Sequence, residues 1–423
     1  FMEQRFKSIP QKRRFWQFPW GYKESFLISF GILISGFIIE YISDGKGISL
    51  PGWPVNLIFI LFFIVYFVFV YKYVKHPIVK WFSSTQAAIS SISVLTFLIL
   101  LMGFIPQENQ NVMPFIRKIG LSHVTGSMPY FLCSFYLLVI LGFTIVRRFL
   151  PFTIKNFAFF LNHAGLWIVV VAASLGSADL WRLNMQLVEN KTNFVAYDTQ
   201  RNPFKMPFAL KLLNFSIEEY PPNIALMDNK SGSLKIKKGD KLIDVIKDTI
   251  TRIENWEIVI DKYIESAIKD SAGYDTSSHV GAVPAVYLIA KNIQTKKIKD
   301  GWVTCGSFLM TPEFLMLNDE YSVAMTIPRP KKFSSEIRVF NSIEDFTDIV
   351  IEVNKPVKVC GWNIYQSGYN EKMGKWSNMS IVELVRDPWL PVVYTGIFMM
   401  LAGAVYLVWM GRWERQKLMR LKL

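Results

Sequence analysis

From Phe157 to Leu175 the chain is apolar apart from Asn162, His163 and Ser174. At a helical rise of ~1.5 Å per residue this run reaches roughly 28 Å, about the thickness of a bilayer's hydrocarbon core. An ionisable side chain in such a helix costs a few kcal/mol to bury, so it needs a partner or a task. His163 is therefore the most informative residue in the sequence. Beyond the run the composition turns polar for some two hundred residues, which makes this helix the stem of an external domain as well as a candidate site.

Five further apolar runs share the pattern. They predict a polytopic α-helical membrane protein of about six transmembrane helices, with a large extracytoplasmic β-rich domain between the last two. The expected division is a basic N-terminus (1–24), then five helices within 25–177 (about 25–42, 55–73, 86–105, 129–146 and 157–175). The external domain follows (178–386), then a sixth helix (387–410) and a basic tail (411–423). The first apolar run follows a basic segment without a small-residue cleavage site, so it is expected to remain as an anchor.

Charge orients this arrangement. The net charge is +14, yet residues 178–386 carry 27 basic and 26 acidic side chains, leaving 20 basic and 7 acidic for the membrane part. The excess is a topology signal and implies no nucleic-acid partner. Basic residues concentrate in the N-terminus, in KYVKHPIVKW, around Arg147, Arg148 and Lys155, and in the C-terminal tail. The positive-inside rule then puts both termini in the cytoplasm and residues 178–386 outside.

The external region reads as strands, at Phe208–Ile217, Glu257–Tyr263, Ala285–Ala290, Glu336–Phe340, Val357–Gln366 and Ser380–Val385. These are β-branched and aromatic segments divided by Gly, Pro, Asn and Asp turns. A sandwich or a partly open barrel is expected, with one helically spaced insertion at Lys241–Arg252. Asp179 and Arg182, three apart just past the fifth helix, suit a salt-bridged collar for the helix end or a docking contact. The cysteines (Cys133, Cys305, Cys360) lack C-x-x-C spacing, which argues against a redox motif or a cysteine-built zinc site. In an oxidising compartment Cys305 and Cys360 have two open fates, a disulfide or separate burial among strands.

Two readings of His163 stand side by side. Neutral imidazole is a good axial ligand for haem iron, and a membrane helix can hold a b-type haem. Alternatively the ring hydrogen-bonds to another helix, with Asn162 assisting. No second histidine lies three or four residues away, so a second axial ligand has to come from elsewhere. His76, beside Pro77 among lysines, suits an interfacial position or a ligand on the cytoplasmic side. His123, in the loop after the third helix, has the sharper reading of a contact for a ligand delivered from inside. Arg147, Arg148 and Lys155 lie at the membrane depth of a site near His163. There they would meet haem propionates, although topology alone explains them. Neither G-x-S-x-G, H-E-x-x-H nor C-x-x-C-H occurs, so the chain is not itself a c-type cytochrome.

FLNHAGLWIVVVAASLGSADLWRLNMQLVEN, PFALKLLNFSIEEYPP, GWNIYQSGYN and the Asp387-Pro388 step resemble segments of the ResB/CcsB family, over roughly residues 82–412. That family belongs to System II cytochrome c biogenesis. The resemblance implies a subunit in the bacterial cytoplasmic membrane that works with a CcsA/ResC-type partner. Such a complex carries haem b outward and attaches it to apocytochrome c. It also implies that a membrane histidine, here His163, shares the haem iron with a histidine of the partner. The helices within 25–74 are additional to the family pattern. The tryptophan-rich segment that presents haem belongs to the partner, so catalysis by this chain alone is not expected. The rival expectation is a structural or docking subunit that stabilises the partner without ligating haem.

Overall fold

The computed structural model describes residues 16–107, 112–150, 153–235, 243–245, 250–341 and 345–420. The basic residues Arg5, Lys7 and Lys12 to Arg14 lie outside them. The chain divides into two compact units, one of residues 1–180 with 387–423 and one of Trp181–Arg386.

The first unit is helical. Its helices are α1 (Tyr22–Ile42), α2 (Val55–Val70), α3 (Pro77–Phe82), α4 (Thr85–Phe104), α5 (Pro114–Lys118), α6 (Met128–Phe149), α7 (Phe157–Leu175) and α8 (Leu390–Arg420). Six of the described helices are long and apolar enough to cross a membrane: α1, α2, α4, α6, α7 and the Leu390–Met410 part of α8. Their starts follow local chemistry. The Glu24 carboxylate accepts from the Gly21 N–H at 2.8 Å, Ser84 Oγ accepts from the Ala87 N–H at 3.3 Å, and Pro129 occupies the first turn of α6. Helix α6 is the most enclosed, packed by α1, α4 and α7, whereas α8 is the least enclosed. Among the described residues Asp179 holds the end of α7 through neutral hydrogen-bond donors and not through the expected salt bridge. It accepts from the Trp53 N–H (2.8 Å), Asn56 Nδ2 (2.8 Å) and Trp389 Nε1 (2.6 Å), tying the starts of α2 and α8 to that end.

The second unit contains both expected β architectures. Eight described strands form one sheet in the order Phe346–Glu352, Pro330–Phe340, Pro203–Glu219, Thr192–Tyr197, Trp181–Val188, Met379–Arg386, Trp362–Tyr369, Val357–Val359. All its described pairings are antiparallel. The sheet rolls on itself, because its core, including Leu183, Leu210, Ile337, Ile351, Ile364 and Leu384, comes from that sheet alone. Its ends approach, Phe346–Glu352 lying against Trp362–Tyr369. A second core joins two smaller sheets, with Ile258, Ile260 and Leu288 on one and Ile224, Leu226 and Val323 on the other. This is the sandwich.

The insertion at Lys241–Arg252 does not form the expected helix among its described residues. Ile243–Asp244 pairs with Asn223–Ile224, and Ile250–Ile253 pairs with Trp256–Val259. Val245 is buried in the sandwich core, so edge pairing and one apolar anchor override the helical spacing. The rest of the insertion lies outside the described residues.

Within the rolled sheet three buried polar side chains satisfy one another. Ser335 Oγ donates to Gln366 Oε1 at 2.7 Å, and Gln366 Nε2 donates to Ser380 Oγ at 3.0 Å and to the Gly368 carbonyl at 3.1 Å. Ser335 and Gln366 lie on strands that are not neighbours in the sheet, so the bond helps close the roll. Ser335 Oγ also lies 2.8 Å from Ser380 Oγ, so Gln366→Leu leaves these two buried hydroxyls only each other and one of their protons without an acceptor, at a cost of ~2 kcal/mol. For a unit of this size that corresponds to a midpoint lower by roughly 4–8 °C. Thermal unfolding of the full chain in detergent, followed by far-ultraviolet circular dichroism, checks this; an unchanged midpoint contradicts it.

Candidate functional site

His163 lies in the second turn of α7. The i−4 carbonyl of a helix is within reach of a short polar side chain, and His163 Nδ1 is 2.9 Å from the Phe159 carbonyl oxygen. A carbonyl only accepts, so Nδ1 carries a proton, and in the neutral ring Nε2 keeps its lone pair. Among the described residues Nε2 has no hydrogen-bond partner. The ring is partly buried and stacks on Phe159, with centroids 3.7 Å apart and planes 23° apart. Holding one ring nitrogen on a backbone carbonyl is how proteins orient an imidazole for a metal at the other nitrogen.

Arg148 completes a column at this end of the helix. Its guanidinium carbon sits 4.6 Å from the Phe159 ring centroid, on the ring that carries His163. Asn156 Nδ2 donates to the Arg148 carbonyl at 3.0 Å and fixes the turn between α6 and α7. Imidazole and guanidinium thus share one aromatic platform, the arrangement that suits a flat ligand bearing a metal and carboxylates. Phe159 is the member that sequence reading missed. Its position four residues before His163 in a helix is the signal that points to it.

The other candidates are placed elsewhere. Arg147 turns away from the column, its Nη1 donating to the Lys80 carbonyl (3.2 Å) and to Ser83 Oγ (2.7 Å). Lys155 lies in the 3-10 turn Ile154–Asn156, and its side chain is outside what the structure describes. His76 caps α3, its exposed ring accepting from the Ile78 N–H at 3.4 Å. His123 Nε2 lies 3.3 Å from Glu40 Oε1. Glu40 is fully buried and also accepts from the Gly47 N–H (2.8 Å) and the Met128 N–H (2.7 Å), so it anchors two loops to the start of α6. Asn162 Nδ2 donates to the Ala158 carbonyl of its own helix at 3.0 Å and faces α8 at Gly403. It does not assist His163.

In the β-rich unit all described cysteines are free, which corrects the disulfide option. Cys360 sits exposed at the turn between Val357–Val359 and Trp362–Tyr369, and Cys305 packs against the sandwich core. Cys305 borders a cleft of about 450 Å³ with Glu219 and Lys375. Burial pushes the Cys305 thiol up to about 11. Burial also raises the Glu219 carboxyl, against the pull of Lys375 and with the push of Glu265. A thiol held protonated is a poor nucleophile. Maleimide labelling at pH 7 is expected to modify Cys360 fastest, Cys305 at least tenfold more slowly, and buried Cys133 only after unfolding. Mass mapping of the labelled peptides checks the order, and equal rates for Cys305 and Cys360 contradict it. Among the described residues no group of three or more His, Cys, Asp or Glu side chains could hold a metal ion.

Residues 289–382 match a family model, wholly within the β-rich unit. It is that of the ResB-like family. The matched stretch is less than half of the chain. It contains the strand Trp362–Tyr369 with Gln366, and much of the cleft beside Cys305. The match is consistent with a ResB/CcsB assignment and points to involvement in cytochrome c biogenesis. No curated protein matches the chain.

Proposed function

We propose that this chain is the ResB/CcsB-like subunit of a System II cytochrome c synthase, holding haem b in the membrane through His163. The observation that carries the reading is the Nδ1–H bond to the Phe159 carbonyl, which leaves Nε2 free for iron. The structural alternative requires a hydrogen bond from His163 to another helix, and among the described residues the ring bonds only within its own. Haem is cargo here. It enters from the cytoplasm, is held by His163 together with an imidazole from a CcsA/ResC-type partner, and leaves for covalent attachment to apocytochrome c. Arg148 is the propionate contact, because it shares the Phe159 platform. In this reading both termini are cytoplasmic, the β-rich unit is periplasmic, and the membrane is the bacterial inner one.

Purification of the chain with its partner, followed by absorption spectroscopy, tests the proposal. A b-type Soret band at about one haem per complex is expected. Arg148→Gln weakens haem retention about tenfold, the worth of one charge-assisted contact. Arg147→Gln leaves retention unchanged, since that guanidinium serves Lys80 and Ser83. A complex without haem, or equal effects of the two arginine variants, overturns the assignment.

A further inference from the structure

The cleft beside Cys305, of about 450 Å³, lies where the rolled sheet meets the sandwich. Glu219, the last residue of the strand Pro203–Glu219, comes to it from the roll, and Val283, Cys305 and Phe308 come from the other side. The turn Gly374–Trp376 supplies part of the wall. The chain enters the β-rich unit at Trp181 and leaves it at Arg386, and these two residues pair. The same two strands run on to Val188 opposite Met379, roughly 23 Å along the sheet. Gly374–Trp376 shortly precedes Met379, so the cleft opens away from both ends of the unit.

Its charges do not balance. Glu219 is half-buried, with Oε1 about 4.0 Å from where a Cβ on Gly374 would stand, and its carboxyl makes no hydrogen bond or ion pair among the described residues. The Glu265 carboxyl repels its charge and the Lys375 ammonium attracts it. Lys375 is drawn elsewhere. Its Nζ stands 5.3 Å from the Trp376 ring centroid and pairs with no carboxylate among the described residues. Glu371 and Lys372, both exposed at the rim, offset one another. Two inner carboxyls thus share one ammonium, and a partly desolvated carboxylate without a partner is costly. The mouth is apolar, with Ile327 77% and Phe308 41% exposed. Apolar side chains held open above an unpaired acidic group suit an alkyl stem that ends in a cation.

We infer that this cleft takes a lysine or arginine side chain of a protein partner, its stem on Phe308 and Ile327 and its cationic end on the Glu219 carboxylate. The inference goes beyond the haem reading and does not rest on it, since every lining residue belongs to the β-rich unit.

Protection of Cys305 from maleimide reads occupancy of the cleft, and exposed Cys360 is the reference within the same molecule. The full chain in detergent is labelled at pH 7 with millimolar acetyl-Ala-Lys-Ala-amide, or with the same peptide carrying norleucine in place of lysine. The lysine peptide is expected to slow labelling of Cys305 severalfold and to leave Cys360 unchanged, while the norleucine peptide protects neither. Glu219→Gln keeps the size of the side chain and removes its charge, and weakens half-protection about tenfold, the worth of one charge-assisted contact. Ile327→Lys puts a like charge at the mouth and weakens it too. That position is exposed, so this variant decides if Glu219→Gln misfolds by size-exclusion elution. The assay contains neither haem nor the partner subunit, so its failure and failure of the haem reading are told apart. Spermidine supplies the arm for a free polyamine, and protection by it equal to that of the lysine peptide overturns the proposal. So does equal protection by the norleucine peptide, no protection by the lysine peptide, or unchanged half-protection in either folded variant.

Discussion

Replacing His163 with glycine is expected to remove most of the Soret absorbance of the complex purified with its partner, while both subunits remain in the membrane. The argument is geometric. The Phe159 carbonyl fixes the Nδ1 proton, the ring stacks on Phe159, and Nε2 is the one nitrogen left for iron. Glycine removes that ligand and opens a hole the size of an imidazole. Free imidazole at millimolar concentration is then expected to restore the band, because the hole and the second ligand are both still present. A docking role for this chain gives a different outcome. A lost packing contact lowers the amount of complex, and added imidazole does not return the band. Unchanged haem content in His163→Gly removes the residue from the mechanism.

The second large effect is expected at the seam of α7 and α8. A Cβ on Gly396 would lie 2.7 Å from the Gly165 carbonyl oxygen and 2.8 Å from Val169 Cγ2, and one on Gly165 would lie 2.6 Å from the Gly396 carbonyl oxygen. Backbone thus meets backbone, the close approach that small residues permit between membrane helices. Neither side can yield by rotating a side chain. Helix α8 is otherwise little enclosed, so this seam holds it. Gly403 packs on Asn162, the residue before His163, and a displaced α8 therefore disturbs the turn that carries the ligand. Gly396→Val is expected to cost ~3 kcal/mol or more, beyond ordinary overpacking because the opposing atoms are backbone. The thermal midpoint should drop by several degrees and haem occupancy should fall with it. Gly103→Ala is the control, since an added Cβ there meets nothing within 4 Å and both readouts should stay at wild type. A wild-type midpoint in Gly396→Val contradicts the seam.

Much of this was legible in the sequence, and the limits have physical causes. The runs long and apolar enough to cross a membrane announce themselves in the sequence, and the described helices begin and end within a few residues of the expected positions. The last one continues to Arg420, past the apolar edge at Met410, because Arg, Lys, Glu and Gln propagate a helix as well as apolar residues do. The strands were visible from β-branched and aromatic runs. Their assembly was not, because the roll depends on Trp181–Val188 pairing with Met379–Arg386 across the whole length of the unit. Local composition carries no record of such partners. The insertion at Lys241–Arg252 shows the same limit from the other side, since pairing overrode its period. At the site, His163 stood out because a lone histidine in lipid requires a reason. The functions of Arg147 and Arg148 could not be separated by sequence, as adjacent arginines at a helix end look alike until one is seen to serve Lys80 and Ser83 and the other Phe159. His123 reads from the sequence as a contact for a ligand delivered from inside, because Glu40, its partner, is 83 residues away.

A cryo-electron microscopy map of the haem-loaded complex with its partner tests the central claim most directly. The expected density joins the iron to His163 Nε2, with Nδ1 still on the Phe159 carbonyl, Arg148 reaching a propionate, and an imidazole of the partner on the opposite face. A porphyrin bound elsewhere, with the His163 ring packed against lipid chains or enclosed by side chains, contradicts it.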